Sequence, residues 1–499
     1  MEEVGEVKND PHCQKGPLTT GSPTYEVSPS IKKICQPLLL TKDECVKLMR
    51  ILNEEIDIGN GIAKPDGMKG LRTYNTFVTE ISLHKEPGTF LTLDFKGKYY
   101  RVILTKISSE LESTEADETL YIIPKRMRLL SKEEASPWFM RILNCQIFSY
   151  IADTLRDFLQ ERGMEAEYLK MAFVFNFPTE MHGINEGVVV SFTKEFECPS
   201  LIGQEVVGGL QDAIRKLGLR IEICALLNDT VGALAAGASR DPDCYLGMIL
   251  SSGVNCAYFE KLTNIQYPVN LGKEVDRVAL NTEWGALGED GCLDEYLTEY
   301  DREVDRQSFC PGKQIFEKLT ATLYMGEVCR LVLVKAIAHC NLLDGTIPDK
   351  LTHPNSVTAQ YIFDIDRDPP DCFHSAEGIL RERFRISSLR KSDLIAVRYI
   401  CRTIITRCAN LLGSACAAII QRVGKKRTTV AVDGAFFRFS QQFPFALVET
   451  IGQLIPLSYA FTLRMIDDAA GRGAAAVVTT DLVLSKQGEN QLFVYGVKL

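Results

Sequence analysis

The sequence predicts an α/β protein of at least two domains, and three observations predict it. The chain has 499 residues, more than the roughly 250–300 at which a single hydrophobic core stops growing. Similar strand–turn–strand segments recur along it, two of them about 155 residues apart, which suggests a duplicated α/β unit. Hydrophobic residues make up 45% and charged residues 24%. Those are globular values, and they exclude a chain disordered throughout.

The elements follow in order. Residues 1–30 are polar and punctuated by Pro and Gly; they read as a flexible leader and lack the apolar stretch of a signal peptide. Thr41-Lys42-Asp43-Glu44 has capping-box form. Cys45, Leu48, Met49, Leu52 and Ile56 follow at helical spacing, and Gly59 and Gly61 mark the helix end. Three later segments read as β-hairpins, each an apolar strand, a Gly-containing turn and a second strand. They are Phe90–Asp94 through Gly97 into Tyr100–Leu104, Leu246–Leu250 through Gly253 into Cys256–Phe259, and Thr429–Asp433 through Gly434 into Phe436–Phe439. The first two lie about 155 residues apart. That suggests a duplicated α/β unit, too long a period for a solenoid repeat. Further strands are expected at Met171–Phe177, Gly187–Phe192 and Ile221–Leu227, with a helix beginning in Val231–Ala238. The last third reads as mostly helical, with long patterned runs at 315–342 and 392–421.

Composition also narrows the partners. A net charge of -9 argues against a broad nucleic-acid footprint, which needs a basic face, but leaves room for small anionic ligands. The sixteen cysteines are scattered through apolar runs with no C-x-x-C pair. They read as free thiols of a reducing cytoplasm rather than a disulfide framework. With six His and no ligand spacing, no structural metal is expected. No stretch reaches roughly 18 uncharged apolar residues, so no membrane span is expected.

Asp229 is the leading candidate for acid–base chemistry. It sits where an apolar strand meets a helix, in Leu226-Leu-Asn-Asp-Thr-Val-Gly232. A carboxylate there faces the ligand crevice of an open α/β sheet and can take a proton from a substrate hydroxyl. The same position suits a helix N-cap. Thr193-Lys194 follows another strand and reads as a sugar- and phosphoryl-binding pair or as a solvated turn. Glu283 and Glu317 read as acceptors for sugar hydroxyls or as surface carboxylates.

A family resemblance decides between these readings. From about residue 31 to its end the chain resembles a hexokinase. Phe175-Asn-Phe-Pro178 is similar to the family's F-S-F-P, and Ser191-Phe-Thr-Lys-Glu-Phe196 to its x-W-T-K-G-F. Leu227-Asn-Asp-Thr-Val-Gly232 resembles V-N-D-T-V-G, Asn281–Gly288 resembles N-x-E-W-G-A-F-G, and Phe316-Glu-Lys318 resembles Y-E-K. The resemblance implies a two-domain, actin-like or ribonuclease-H-like sugar kinase fold with an interdomain cleft. It places the large domain at 31–84 plus 227–466 and the small domain at 85–226 plus 467–499. It implies ATP-dependent phosphorylation of a hexose at its 6-hydroxyl with Mg²⁺, the first step of glycolysis. Asp229 is then the base and Lys194 its catalytic partner. The implied hexose site is Asn176, Thr193, Lys194, Asn228, Asp229, Asn255, Glu283 and Glu317. Met1–Lys15 has no match to the apolar segment by which some relatives attach to mitochondria.

The implied nucleotide site is Asp94, Gly97, Arg101, Ser252, Gly253, Asp433 and Gly434, and here the chain departs from the family. The first phosphate hairpin, D-L-G-G-T-N-x-R in relatives, reads Asp94-Phe-Lys-Gly-Lys-Tyr-Tyr-Arg101. Lys96, Lys98 and Tyr99 replace Gly, Thr and Asn. A lysine forced left-handed at position 96 is expected to cost roughly 1–2 kcal/mol. Each lost hydrogen bond to phosphate costs about 1.5–3 kcal/mol. Two lysines offset part of that as phosphate-binding point charges. Ala435 and Ala470 replace hydroxyl residues, Ala469 replaces Gly, and Glu195 replaces the Gly after Thr-Lys. Two functions therefore stand, a hexokinase of reduced turnover and a hexose-binding pseudokinase that senses or scaffolds.

Overall fold

The computed structural model describes residues 26–494 except 63–69, 84–85, 109–113, 129–136, 193–197, 199–200, 270, 272–274 and 370. The first helix, Pro29–Cys35, overlaps the last two residues of the expected leader. Helix Lys42–Gly59 opens on the expected capping box. Thr41 accepts from the Glu44 N–H, and Glu44 returns a bond from the Thr41 N–H. It ends at Asn60, and Gly61 takes the left-handed φ of 79° that turns the chain away.

Two sheets carry the molecule. After a two-residue strand β1 (Tyr74–Asn75), β2 (Gly88–Phe95), β3 (Tyr99–Ile107), β4 (Thr114–Ile122) and β5 (Leu169–Phe175) build the first. A separate ribbon, β6 (Thr179–Gly183) with β7 (Glu186–Val189), intervenes before β8 (Ile221–Leu227). The first sheet runs β4-β3-β2-β5-β8, antiparallel through the β2–β3–β4 meander and parallel from β2 to β8. The second uses β9 (Cys244–Leu250), β10 (Val254–Lys261), β11 (Arg277–Asn281), β12 (Arg427–Asp433) and β13 (Ala460–Met465). Its order is β11-β10-β9-β12-β13 with β1 added outside β11. Meander followed by two parallel strands recurs in the same spatial order, so the duplication read from the first two hairpins extends to whole sheets.

Two sequence expectations change. The third hairpin is not one: after β12, Gly434 turns the chain into a short helix, Ala435–Phe439. Both edges of β12 are already occupied by parallel neighbours, β9 and β13, which leaves no place for a returning strand. The strand expected at Gly187–Phe192 ends at Val189 as β7, which pairs with β6 and makes isolated bridges to Ile202 and Glu205. The run at 315–342 divides at Ala321 into helices Ile315–Thr320 and Thr322–Cys340.

Helices Asp229–Ala238 and Ala469–Val494 lie between the sheets. Their alanines and valines pack with Ala172 and Val174 of the first sheet and with Ala257, Ala279 and Ala431 of the second. Small residues let backbones approach closely. A Cβ on Gly473 would stand 1.9 Å from the Gly232 carbonyl oxygen. The first sheet's other face is covered by helices Pro137–Gln160 and Val206–Lys216. Helix Lys391–Val423 fills the second sheet's core. That helix has the length and mean hydropathy of a membrane span, and its most apolar window lies wholly inside the fold. Within it, Arg407 donates twice to Asp301 at 2.7 Å, an ion pair with both side chains 3% exposed. The fourteen described cysteines are all free.

Candidate active site

The C-terminal ends of β2, β5 and β8 lie side by side, where an open parallel sheet presents its ligand crevice. Register sets them level: Asp94 pairs with Val174, and Val174 pairs with Leu227. The residues just beyond are Lys96, Asn176 and the Asn228-Asp229 pair. Asn228 caps the following helix, its side-chain oxygen accepting from the Thr230 N–H at 3.0 Å. The capping that competed for Asp229 in the sequence therefore falls to its neighbour. Asp229 becomes the first helical residue, with its carboxylate directed to Lys96.

Asn176, where relatives carry Ser, is buried. Its side-chain oxygen accepts the Asp229 backbone N–H at 3.1 Å. Its amide nitrogen has no partner among the described residues. A buried donor without a partner costs roughly 1–3 kcal/mol, so a ligand oxygen fits there.

The second sheet supplies the facing wall. Glu283 adopts a left-handed φ of 46°, an uncommon conformation for a non-glycine. That backbone turns its carboxylate onto three amides. The Asn281 amide donates to it at 2.7 Å, Asn255 at 3.3 Å and Asn228 at 3.5 Å. Asn255 also donates to the Asn281 oxygen at 2.8 Å. Glu317, on helix Ile315–Thr320, accepts the Val254 N–H at 3.1 Å and fixes the turn after Gly253. Asn228, Asn255, Asn281 and Glu283 are thus linked by hydrogen bonds, and the Asn176–Asp229 pair meets them through the peptide bond between Asn228 and Asp229. Glu317 joins them through the β9–β10 turn. Thr193 and Lys194 lie outside the described residues.

On the nucleotide side, Gly97 and Lys98 form a two-residue hairpin turn closed by the Lys96 N–H to the Tyr99 carbonyl at 3.0 Å. The positive φ, 88°, falls on Gly97, as Gly at the first turn position allows. Lys96 is not left-handed, so the backbone strain expected there is absent. What Lys96 changes is electrostatic. Its ammonium stands 3.2 Å from Asp94 Oδ1 and 3.3 Å from Asp229 Oδ2. Burial pulls its pKa down, but the Asp94 and then Asp229 carboxylates outweigh that and hold it above the ordinary lysine value. Arg101 takes the other Asp94 oxygen at 2.8 Å and also pairs with Asp468 at 2.9 Å and Glu118 at 2.7 Å.

The β9–β10 turn, Ser251–Gly253, closes through the Ser251 N–H to the Gly253 carbonyl at 3.0 Å. Gly434 passes so close to it that a Cβ would meet the Leu250 oxygen at 2.0 Å. Asp433 binds Arg438 at 2.7 Å and accepts the Ala469 N–H at 3.4 Å. Sequence reasoning missed Asn281, Asp468 and Arg438. Asn281 opens the quoted motif Asn281–Gly288 and Asp468 precedes the substituted Ala469 and Ala470, so the signal was present but unassigned. Arg438 had none.

Comparison with known proteins identifies the family. Sequence profiles described as hexokinase match residues 30–239 and 245–480. The chain is 32% identical over 421 residues to a hexokinase of Schistosoma mansoni, covering 84% of this chain and 90% of that one. It is 29% identical over 488 residues to mouse Hexokinase-1, covering 95% of this chain but 48% of that protein. The chain thus spans about half the length of that mouse relative. The solved structure of the Schistosoma mansoni hexokinase complexed with glucose superimposes with a TM-score of 0.80 at 31% identity, covering 90% of this chain and 98% of that one. Matched along almost its whole length in sequence and in overall structure, the chain belongs to the hexokinase family.

Proposed function

We propose that the protein phosphorylates a hexose of glucose type at its 6-hydroxyl, with ATP as donor and Asp229 as general base. One observation carries the reading. Two hydrogen-bonded groups of directional polar side chains, Asn176 with Asp229 and Asn228 with Asn255, Asn281 and Glu283, meet at the Asn228–Asp229 peptide at a strand-end crevice. The buried Asn176 amide is left to donate to a ligand. Many fixed donors and acceptors are what a polyhydroxylated substrate requires. Thr193 and Lys194 complete the site in this reading. Asp94, Gly97, Arg101, Ser252, Gly253, Asp433 and Gly434 line the phosphate and nucleoside side. Free thiols support a reducing, cytoplasmic setting, and phosphorylation of glucose would place the protein at the start of glycolysis.

The position of Lys96 favours a second reading, a hexose-binding protein of low turnover. An ammonium on the Asp229 carboxylate competes with the proton that carboxylate has to accept. It also disagrees with the divalent metal the family uses. Both Asp94 oxygens and one of Asp229 already face cations, Lys96 and Arg101. Mg²⁺ demands near-octahedral oxygen ligands at about 2.0–2.1 Å. The donor set at Asp94 and Asp229 does not fit it while Lys96 is in place.

A coupled assay for hexose 6-phosphate, with Asp229→Ala as blank, separates the readings. Turnover above the blank supports the enzyme. Glucose binding without turnover supports the binder.

A further inference from the structure

We propose that the Lys96 ammonium is a built-in cation holding the place of the divalent metal, so that the cleft binds nucleotide phosphates in their metal-free form. The inference rests on the cleft being a nucleotide site, as read above.

The first support is position. Lys96 Nζ lies between two carboxylates, 3.2 Å from Asp94 and 3.3 Å from Asp229. Its side chain is 27% exposed, so it is partly desolvated yet reachable from the cleft. A second cation of twice the charge, placed against the same oxygens, would meet it at close range in a partly water-excluded site, where repulsion is strong.

The second support is rigidity. Asp94 ends β2 and Asp229 follows β8, and both strands are in register with β5 in one sheet. The three charged groups therefore belong to one rigid element, and their spacing does not depend on how far the cleft is open. Lys96 is fixed at its root by the Gly97 turn and its N–H bond to Tyr99.

The third support is donor arithmetic. An ammonium has three N–H donors. One bonds Asp229, and the ammonium stays within ion-pair range of Asp94, which leaves a donor for a phosphate oxygen. Arg101 is anchored on Asp94 and Asp468 beside it. A lysine point charge beside an arginine is a common way to hold phosphate without metal.

The test is calorimetric titration of ADP into the full-length protein, once in EDTA and once in millimolar magnesium, for the unmutated chain and for Lys96→Gly. A Lys96→Met variant keeps the side-chain bulk. Quenching of Trp284, adjacent to Glu283, by glucose reports in each variant that the fold and sugar site are intact. The unmutated protein is expected to bind ADP in EDTA at least as tightly as in magnesium. Both variants should lose about tenfold or more in EDTA, and Lys96→Gly should bind better with magnesium than without. If the unmutated protein binds ADP only with magnesium, or if Lys96→Gly shows the same metal dependence, the proposal is wrong. Absence of ADP binding under both conditions also overturns it. Absence of glucose quenching instead strikes at the hexose reading, and the ADP titrations still decide the role of Lys96.

Discussion

The Asn176 side-chain oxygen accepts the backbone N–H of Asp229 at 3.1 Å, so a residue at the end of β5 orients the proposed base at the end of β8. Replacement by the family's shorter serine withdraws the amide from that bond. Asn176→Ala should remove both the acceptor for Asp229 and the donor left for the sugar. Glucose affinity is expected to fall roughly 10- to 100-fold, measured by calorimetry. An unchanged affinity would place Asn176 outside the sugar site.

Glu283 offers a way to separate binding from stability. Its left-handed backbone costs on the order of 1–2 kcal/mol for a residue with a side chain. Glu283→Gly should keep or raise the melting temperature while weakening glucose roughly 10- to 100-fold, the cost of a lost buried partner. Loss of both together would mean the carboxylate holds the fold rather than the sugar.

The first phosphate turn should respond to reversal. Lys96→Gly, Lys98→Thr and Tyr99→Asn combined are expected to raise hexose phosphorylation in magnesium by at least about tenfold, equivalent to roughly 1.4 kcal/mol of barrier. Single changes should deliver less than their share, because contacting residues in one turn couple. The initial-rate assay for hexose 6-phosphate checks both statements. Strong turnover in the unmutated protein, lost on Lys96→Gly, would mean that this turn already works as it is.

Glu55 makes stability depend on pH. Burial first, then the Asp290 carboxylate, push it up to about 7, against the pull of the Leu71 N–H. The folded state then holds the proton more tightly than the unfolded chain. Its contribution is full below pH about 4.5 and is lost as pH rises through about 7. Glu55→Gln should flatten this fall in a series of melting temperatures from pH 5 to 8. A parallel fall in the variant would assign the effect to other groups.

Arg407 and Asp301 are buried together in the second core. Arg407→Leu leaves Asp301 charged and unpaired. The expected loss is about 3–5 kcal/mol of unfolding free energy, read from denaturant midpoints. A loss under about 1 kcal/mol would mean that water or a neighbour rescues the carboxylate.

The sequence made the local elements legible where chemistry is local: the Thr41–Glu44 capping box, the Gly97 and Gly253 turns, the strand Ile221–Leu227. It misassigned the segment after Val432 because strand and short helix look alike over five residues, and only the neighbours β9 and β13 exclude a hairpin. Site residues could be found through motif order. The Lys96–Asp229 contact could not, since it joins residues 133 positions apart across three strands. The same holds for Glu55, Asp290 and Cys292, whose side-chain oxygen and sulfur atoms lie within 4.8 Å of one another with no spacing signature.

Helix Ala469–Val494 covers the inner face of the first sheet, and the Ser82 N–H reaches its Thr480 hydroxyl at 2.9 Å. That arrangement sets a timetable on the ribosome. The sheet's last strand ends at Leu227, but the helix that seals it is made roughly 240 residues later. At about 5–20 residues per second, the first half waits on the order of ten seconds to a minute with an apolar face uncovered. Until its closing helix emerges, the nascent chain is a natural client for chaperones.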